Sequence, residues 1–230
     1  MDGILLFNKP ILWTSHDAVD FVRRKAGQRS VGHAGTLDPL ATGLLLILLG
    51  KGTKRSDELM GLDKSYEGTI LFGVETDSYD LDGKIQKWND GAGLTQDQVS
   101  KVFECFTGKI SQMPPVFSAL KINGKKSYEL ARTGESVLLK SREVTITDLC
   151  LNYFYENEAA FSLSCSKGTY VRSLAHDAGE KLGCGGVLSS LVRTRIGSFD
   201  LSKALSQLDL QTMTPKQMEE SISCENLLRA

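Results

Sequence analysis

The apolar residues of the chain fall into short runs that predict a mixture of strands and helices. Gly3 to Phe7 is an apolar run of strand length, and Leu44 to Leu49 is a second run that predicts a strand in the core. Between these runs, Thr14 or Ser15 can cap a helix from about His16 to Ala26, whose apolar positions follow helical spacing. The first fifty residues therefore predict a strand, a helix and a second strand.

The rest of the chain continues this mixture. Alternating or β-rich apolar runs predict strands over residues 65–74, 84–88, 143–155, 159–165 and 187–195. Capping residues and helical spacing predict helices over about 53–61, 95–106, 170–182, 202–207 and 215–221. Because strands and helices do not alternate regularly, the pattern predicts an α+β fold with a mixed but largely antiparallel central sheet flanked by helices and loops.

Residues 107–142 interrupt this pattern. Pro114-Pro115 breaks any regular element, and Asn123-Gly124 is a strong signal for a tight hairpin. The segment is also rich in lysine and arginine. It lies between two better-formed regions, and we expect it to be an excursion that lies over a ligand.

The composition is that of a globular domain. The 230 residues are 41% hydrophobic and 24% charged, which suits one large domain or one domain with a small appendage. The longest apolar run is too short to cross a bilayer, and the N-terminus lacks the positive segment of a secretory signal. The five cysteines are odd in number and form no C-x-x-C pair. These features predict a cytoplasmic protein with reduced thiols, without structural zinc and without a membrane partner.

The net charge of −1 hides an uneven distribution of charge along the chain. Residues 23–55 and 116–142 are basic, whereas residues 56–104 are strongly acidic. Such clusters can form a basic face that binds a phosphate backbone, although any single cluster is more often a solvated surface. The two basic clusters include Lys54, Lys121, Lys125, Lys126 and Arg132.

The stretch from Gly32 to Gly43 carries the strongest candidate for chemistry. It places His33 and Asp38 in a glycine-rich loop ahead of an apolar run, and Pro39 disfavours a helical conformation at Asp38. The glycines permit positive φ angles or a close approach to a ligand. In isolation, however, an Asp before Pro is more often a turn residue than a catalytic group.

No cofactor or metal motif accompanies this loop. The dinucleotide-binding glycine pattern is absent, and Gly50-Lys51-Gly52-Thr53 lacks the upstream glycine of a phosphate-binding loop. The three histidines, at positions 16, 33 and 176, show no metal-ligand spacing. The sequence therefore predicts chemistry by side chains alone, with no cofactor and no metal.

Taken together, the ordered motifs of the chain resemble the TruB family of tRNA pseudouridine synthases, which isomerise uridine 55 of the T loop. The resemblance covers nearly the whole chain and runs, in order, through Asn8-Lys9-Pro10, Gly32-His33-Ala34-Gly35-Thr36-Leu37-Asp38-Pro39, Lys64-x-Tyr66, Ser118-Ala119-Leu120-Lys121, Cys165-Ser166-Lys167-Gly168-Thr169-Tyr170-x-Arg172 and Leu191-x-Arg193. One departure is Leu12, at a position where the family pattern has glycine.

This resemblance implies roles for individual residues. Asp38 is the catalytic carboxylate, Arg172 pairs with it, and Tyr66 packs against the uracil and takes the proton from C5. The base would be flipped out of the T loop to reach Asp38. The implied substrate-binding residues are His33, Tyr66, Tyr170, Leu191 and Lys9. The implied contacts with the RNA backbone are Lys54, Lys121, Lys125, Lys126 and Arg132.

The resemblance also implies a domain plan. Residues 1–200 form the pseudouridine synthase catalytic domain, with a thumb-like insertion at about 107–142 that clamps the T stem. Residues 201–230 form a short helical extension, too short for the RNA-binding PUA domain that family members commonly carry. The implied partner is the T stem-loop of tRNA, with no guide RNA and no obligatory protein partner.

Three alternatives are weighed against this assignment. A guide-RNA-dependent, dyskerin-like synthase shares the catalytic loop but needs a PUA domain to dock its guide. A non-catalytic tRNA-binding or folding protein could keep the scaffold, although the presence of Asp38, Tyr66 and Arg172 together argues against it. A cysteine hydrolase built on Cys165 with His176-Asp177 is disfavoured, because such signatures do not transfer between families.

Overall fold

The computed structural model of the chain describes residues 1–89, 93–118, 121–122, 125–127 and 139–222, with the backbone alone at 121–122 and 125–126. The chain divides into two compact units. The first combines Met1–Tyr66 with Leu191–Ala230, and the second is Glu67–Ser190. Within the described ranges, no helix is both long and apolar enough to span a bilayer.

The first unit contains most of the strands and helices near the two ends of the chain. Its strands are β1 (Gly3–Lys9), β2 (Val31–Ala34), β3 (Thr42–Leu49), the first residues of β4 (Lys64–Phe72), the last residues of β12 (Gly186–Ile196), and β13 (Phe199–Asp200). Its helices are α1 (Ser15–Ala26), α2 (Ser56–Met60), α5 (Gln207–Thr212) and α6 (Pro215–Glu220), with 3-10 turns at Gly50–Arg55 and Leu201–Lys203.

Local sequence explains where these helices begin and end. Thr14 caps α1, since its side chain accepts the amide of Asp17 while the Asp17 carboxylate accepts the amide of Thr14. Gly27 ends the helix in the left-handed conformation. Ser206 and Thr214 open α5 and α6 with the same capping box. Each box satisfies amides that a helix start otherwise leaves unbonded.

Strand β3 is the centre of the first unit. β1 and β2 both lie antiparallel to it, whereas β12 runs parallel to it and meets it at Thr42 and Gly43. The parallel pairing makes the sheet mixed, although most of its pairings are antiparallel. It also places Arg193 opposite Gly43, at the start of β3.

Two apolar layers cover the faces of this sheet. On one face, α1 and the two C-terminal helices pack against the sheet through Leu5, Phe7, Val19, Val22, Leu45, Ile47, Leu210 and Met218. On the other face the buried cluster is Ile4, Ala34, Leu44, Leu46, Leu48, Leu59 and Ile196. Burial of one such side chain contributes about 1.5–3 kcal/mol, so β3 is held firmly from both sides.

The second unit is a sheet with two described helices. Its remaining elements are β5 (Val74–Thr76), β6 (Ile85–Trp88), α3 (Gln96–Glu104), β7 (Gly108–Gln112), β8 (Lys121–Ile122), β9 (Lys125–Lys126), β10 (Arg142–Tyr155), β11 (Glu158–Cys165) and α4 (Val171–Leu182). The strand order is β12-β4-β11-β10-β7, with β5 paired to β6 and β8 to β9. Helix α3 contacts the sheet through Phe103, whose ring meets that of Phe161 edge-on at 6.4 Å.

The architecture confirms the predicted α+β fold with a mixed, largely antiparallel sheet flanked by helices. The hairpin of β10 and β11 turns at Glu156 and Asn157 as predicted, and both residues have positive φ angles. Two local predictions are wrong. Val31–Ala34 forms β2 rather than part of a loop, and the helix predicted at 202–207 begins only at Gln207, after a 3-10 turn.

The predicted thumb-like insertion at 107–142 lies partly outside the described residues, as does Arg132. Its described parts include β7 and the antiparallel pair of β8 and β9, which matches the hairpin expected there. The described part of the C-terminal extension is helical and contributes Leu210 and Met218 to the core of the first unit. The predicted domain division at residue 200 stays a prediction.

Candidate active site

Asp38 lies on the loop between β2 and β3, and several contacts fix that loop. The side chains of Leu37 and Ala41, on either side of it, are buried. The hydroxyl of Ser15 accepts the amide of Leu37 at 2.8 Å and donates to the Leu37 carbonyl at 3.1 Å. The amide of Ala41 donates to the Asp38 carbonyl at 3.1 Å. The half-buried Asp38 side chain therefore projects from a backbone with a defined conformation.

Arg193 of β12 also holds the loop that carries Asp38. Its side chain is only 2% exposed. Its Nε donates to the carbonyl of Leu44 at 2.8 Å, and its Nη atoms donate to the carbonyls of Gly35 at 3.0 Å and Thr36 at 3.4 Å. The rigid fork of a guanidinium thus ties the loop to the start of β3.

Arg193 also joins the two residues that the resemblance assigns to the chemistry. Its guanidinium is hydrogen-bonded to the side chain of Tyr66 and interacts electrostatically with Asp38. Burial lowers the pKa of Arg193, while Tyr66 and Asp38 act in the opposite direction. A guanidinium stays protonated in proteins, so a buried positive charge stands beside both side chains and favours their ionised forms.

Gly43 allows the backbone of Arg193 to approach this closely. A Cβ atom at position 43 would lie 2.5 Å from the Arg193 carbonyl oxygen and 2.8 Å from its nitrogen. The φ angle of Gly43 is also +96°, which side-chain-bearing residues rarely adopt. The close neighbour of Gly43 is therefore the Arg193 backbone, whereas an approach of the loop glycines to a ligand stays a prediction.

Lys9 is a second buried cation near Asp38. Its side chain is 0% exposed, and its ammonium donates to the carbonyls of Trp13 at 2.6 Å, Pro10 at 3.0 Å and Pro39 at 3.4 Å. Burial lowers the pKa of Lys9 to about 8, and the charge of Asp38 partly offsets this effect. These contacts tie the β1–α1 turn to the Asp38 loop, and a direct contact of Lys9 with substrate stays a prediction.

Replacing Lys9 by Met should change how stability depends on pH. The folded chain loses the Lys9 proton near pH 8, whereas the unfolded chain holds it up to the ordinary value of 10.5. The free energy of unfolding therefore gains a rising contribution between pH 8 and pH 10.5 in the wild type. Urea titrations over this window should show a shallower rise in Lys9→Met. Lys203→Met, at an exposed lysine, is the control. If the free energy of unfolding changes with pH in the same way in the wild type and in Lys9→Met, the lowered pKa of Lys9 is refuted.

His33 and Leu191 also lie in the first unit. Burial lowers the pKa of His33, helped by the charges of Arg193 and His16, so the imidazole is neutral at pH 7. Within the described part of the chain, its buried Nδ1 atom meets no hydrogen-bond partner. Leu191 is half-buried on β12, and its carbonyl accepts the Thr42 hydroxyl at 3.4 Å. The binding roles of His33 and Leu191 stay predictions.

Arg172 lies at the start of α4 in the second unit and is buried there. Its Nη1 lies 3.5 Å from the Asp80 carboxylate and donates to the Ser78 carbonyl at 2.9 Å, while Nη2 donates to the Phe117 carbonyl at 2.9 Å. The predicted pairing of Arg172 with Asp38 stays a prediction.

Tyr170 precedes Arg172 and is fixed by its neighbours. The side chain of Gln112 bonds both the amide and the carbonyl of Tyr170, at 2.8 and 3.0 Å. The guanidinium of Arg142 lies 4.4 Å above the centre of the Tyr170 ring. The ring therefore has a supported orientation, and its contact with the uracil stays a prediction.

The basic residues expected on the RNA backbone are only partly described. Lys54 is exposed at the end of a 3-10 turn. Lys121, Lys125 and Lys126 lie in β8 and β9. In the first basic cluster, Arg23 pairs with Asp20 and Arg55 pairs with Glu58, so part of its charge is balanced by neighbouring carboxylates.

Sequence reasoning did not assign Ser15 or Arg193 to the site. Ser15 was considered only as a helix cap, yet its hydroxyl bonds the backbone of Leu37, 22 residues away. Arg193 belongs to the Leu191-x-Arg193 motif, and the available signal was a charged residue within an apolar strand pattern. Buried charges in such positions are rare and need partners.

The arrangement has the features of an active site that works through a carboxylate. A fixed loop carries Asp38, two buried cations favour its ionised form, and a tyrosine is bonded to one of these cations. An ionised carboxylate in such a place can act as a nucleophile or as a general base. This combination on an α+β scaffold indicates an enzyme that acts through an aspartate carboxylate. Comparison with known proteins identifies the family.

The chain belongs to the TruB family of pseudouridylate synthases. The model of the TruB family N-terminal domain matches residues 23–171, and that of the tRNA pseudouridylate synthase B C-terminal domain matches residues 172–230. The chain is 46% identical over 206 residues to tRNA pseudouridine synthase B of Geobacter sulfurreducens, covering 90% of this chain and 68% of that protein. It is 41% identical over 222 residues to that of Opitutus terrae, covering 96% and 92%.

Solved structures confirm the pseudouridine synthase fold. A Cbf5-Nop10-Gar1 complex matches with a TM-score of 0.75 and 24% identity, covering 96% of this chain and 59% of that chain. An H/ACA RNP bound to a substrate RNA containing 2'-deoxyuridine matches with a TM-score of 0.71, also at 24% identity, covering 96% of this chain and 56% of that one. The chain thus spans less than two thirds of these structures, and at this identity the likeness concerns the fold alone.

Proposed function

We propose that this protein isomerises uridine 55 in the T loop of tRNA to pseudouridine, without a guide RNA. The observation that carries the proposal is the Asp38 loop, held by Ser15, Lys9 and Arg193. Relatives named tRNA pseudouridine synthase B are 41% and 46% identical over most of the chain. Membership of the family supplies the reaction class, and the loop supplies the residue that performs it.

The proposed reaction exchanges one bond to ribose for another. The bond from N1 of uracil to C1′ breaks, the base turns within the site, and a bond from C5 to C1′ forms. The proton of C5 is lost and N1 gains a proton, so the reaction needs no oxidant and no added water. Asp38 can add to C1′ or to C6, or can take a proton from C2′, and each route requires its ionised form.

Tyr66 is the proposed base for the last step. Its side chain is buried and hydrogen-bonded to Arg193. A guanidinium beside a phenol stabilises the phenolate, which is the form in which tyrosine can accept a proton. The low exposure of Tyr66 suits a pocket closed to water, which could otherwise attack C1′ of the intermediate and release the base. Tyr66 would pack on the uracil while it removes the C5 proton.

The uridine must leave the folded T loop before it can reach Asp38. His33 is neutral and half-buried, with a buried Nδ1 atom, so it suits a base that has been taken out of its stack. Leu191 would form an apolar wall for the uracil. Tyr170 and Arg172, in the second unit, keep the roles that the resemblance implies.

Two alternatives are less well supported. A guide-dependent synthase is less favoured, because a relative named tRNA pseudouridine synthase B is 46% identical to this chain, whereas the Cbf5-Nop10-Gar1 complex is 24% identical. A non-catalytic tRNA-binding protein would not require both Asp38 and Tyr66 beside the same buried arginine. A stand-alone, cytoplasmic tRNA enzyme is therefore the better proposal.

The deciding experiment uses the purified protein and an isolated T stem-loop. Conversion of one uridine to pseudouridine, with no guide RNA, no second protein and no added metal, is the expected result, read by nucleoside chromatography after complete digestion. A stem-loop in which that uridine is replaced by cytidine is the control RNA. If conversion appears only after a guide RNA is added, the guide-dependent alternative holds.

Charge reversal of Lys125 and Lys126 should weaken binding of the same stem-loop. Both residues lie on β9 within the predicted thumb-like insertion. If they neutralise phosphates, the Lys125→Glu, Lys126→Glu variant should bind more weakly and lose about two units of the slope of log K against log salt. Lys203→Glu, at an exposed lysine of the first unit, is the control. An unchanged salt slope would remove β9 from the interface.

A further inference from the structure

Leu12 has a backbone conformation that leucine rarely adopts. It lies in the turn between β1 and α1 with a φ angle of +68°. In this left-handed region the Cβ of an L-residue lies too close to the next carbonyl, and glycine or asparagine is the usual occupant. A bulky side chain at such a position strains the backbone locally. Such strain persists where other contacts compensate for it or where the residue has a function.

Packing of the Leu12 side chain inside the protein does not compensate for this strain. The Leu12 side chain is 71% exposed, and its neighbour Ile11 is 56% exposed. Single exposed apolar residues are ordinary on protein surfaces. Here, however, two adjacent large apolar side chains face solvent, and one of them is also strained. Leucine at position 12 therefore does not stabilise the fold of the unbound protein.

The turn that carries Leu12 is rigidly attached to the Asp38 loop. The Leu12 amide donates to the Pro39 carbonyl at 2.8 Å. Lys9 donates to the carbonyls of Pro10, Trp13 and Pro39 around the same turn. The indole of Trp13 in turn packs edge-on against Phe21 of α1, with ring centres 5.5 Å apart. The position of Leu12 is thus fixed by the same contacts that fix the loop.

We propose that Leu12, flanked by Ile11, is an apolar contact for the nucleotide adjoining the target uridine. The inference rests on the proposed function. Pro39 immediately follows Asp38, so a strand of RNA that delivers a base to Asp38 passes beside the residue bonded to Pro39. The face of an unstacked base and the carbon-bound hydrogens of ribose are surfaces on which an aliphatic side chain packs well. Leu12 replaces part of the stacking that this nucleotide loses.

The proposal predicts opposite effects on folding and on substrate binding. Leu12→Gly removes both the strain and the side chain, so Tm should rise by about 2–4 °C. The KM for the T stem-loop should nevertheless rise about five- to tenfold, with kcat within about twofold of wild type. Leu12→Asn tolerates the positive φ but lacks the apolar surface, and should raise KM similarly. Leu12→Met keeps an apolar side chain and should restore KM to within about twofold.

Asn157→Gly is the matched control. Asn157 has a φ angle of +69° on the β10–β11 turn of the second unit, so its replacement by glycine relaxes the same backbone region without removing an apolar group. Its KM should equal that of the wild type. An unchanged KM in Leu12→Gly overturns the proposal, and so does a joint fall in Tm and affinity, which would indicate a structural role.

Binding of the stem-loop, measured by fluorescence anisotropy, separates this inference from the proposed function. If the wild-type protein binds the stem-loop but forms no pseudouridine, the proposed function fails. The Leu12 contact is then still decided by the Kd values: a weaker Kd for Leu12→Gly and Leu12→Asn upholds it, and equal values overturn it.

Discussion

Replacement of Asp38 by Asn should abolish pseudouridine formation and leave binding of the T stem-loop within about tenfold of the wild type. An amide has nearly the same shape as a carboxylate, so the contacts of the loop backbone should survive. It cannot add to C1′ or C6, and it cannot take a proton from C2′. We therefore expect kcat to fall by at least about 10⁴-fold, as for the loss of a group on which every step depends.

The loss is best measured as release of tritium from C5-labelled uridine in the stem-loop, since every turnover removes that proton. Asp63→Asn is the control, because Asp63 is exposed in the same unit. Product formation by Asp38→Asn near the wild-type rate would end the assignment of Asp38. Loss of binding together with activity would instead indicate that the amide disturbs the loop.

Replacement of Arg193 by Met should damage both stability and activity. The change removes the guanidinium that donates to the carbonyls of Gly35, Thr36 and Leu44, and it removes a positive charge beside Asp38 and Tyr66. Breaking such a buried, bonded charge network costs about 3–5 kcal/mol. For a chain of this size the expected fall in Tm is about 6–20 °C, and kcat should fall by about 100-fold or more because the loop loses its position.

Arg193→Lys separates charge from geometry. A lysine restores the positive charge but lacks the planar fork that bonds several carbonyls at once. Its Tm should lie between those of the wild type and Arg193→Met, while its kcat should stay well below that of the wild type. Arg195→Met is the matched control, since Arg195 is exposed two residues further along the same strand. Full activity in Arg193→Lys would mean that charge alone is required, and full stability in Arg193→Met would refute the network.

The elements that the sequence predicted correctly are those with local causes. Capping residues such as Thr14 and Thr95 determine where α1 and α3 begin, and an apolar run determines β3. Strand β2 was not predicted, because four residues that include a glycine and a histidine carry no clear period. Its conformation comes from pairing with β3, whose own position depends on packing from two sides.

The support of the candidate site could not be derived from local patterns. Arg193 bonds the carbonyls of residues 149 to 158 positions away in the chain, and no periodicity reports such a contact. The resemblance singled out Asp38 and Tyr66, whereas the structure adds the charge that lies beside both. Every residue has a backbone carbonyl, so the acceptors around Arg193 and Lys9 cannot be identified from the sequence.

The unit that carries Asp38 is assembled from the two ends of the chain, Met1–Tyr66 and Leu191–Ala230. At a synthesis rate of about 5–20 residues per second, the intervening segment takes roughly 6–25 s to translate. During that interval a nascent chain contains the residues of β1, β2 and β3 but has no Arg193 to hold the loop. The candidate site is thus completed only after Arg193 has been synthesised, and we expect a chain that terminates before β12 to be inactive.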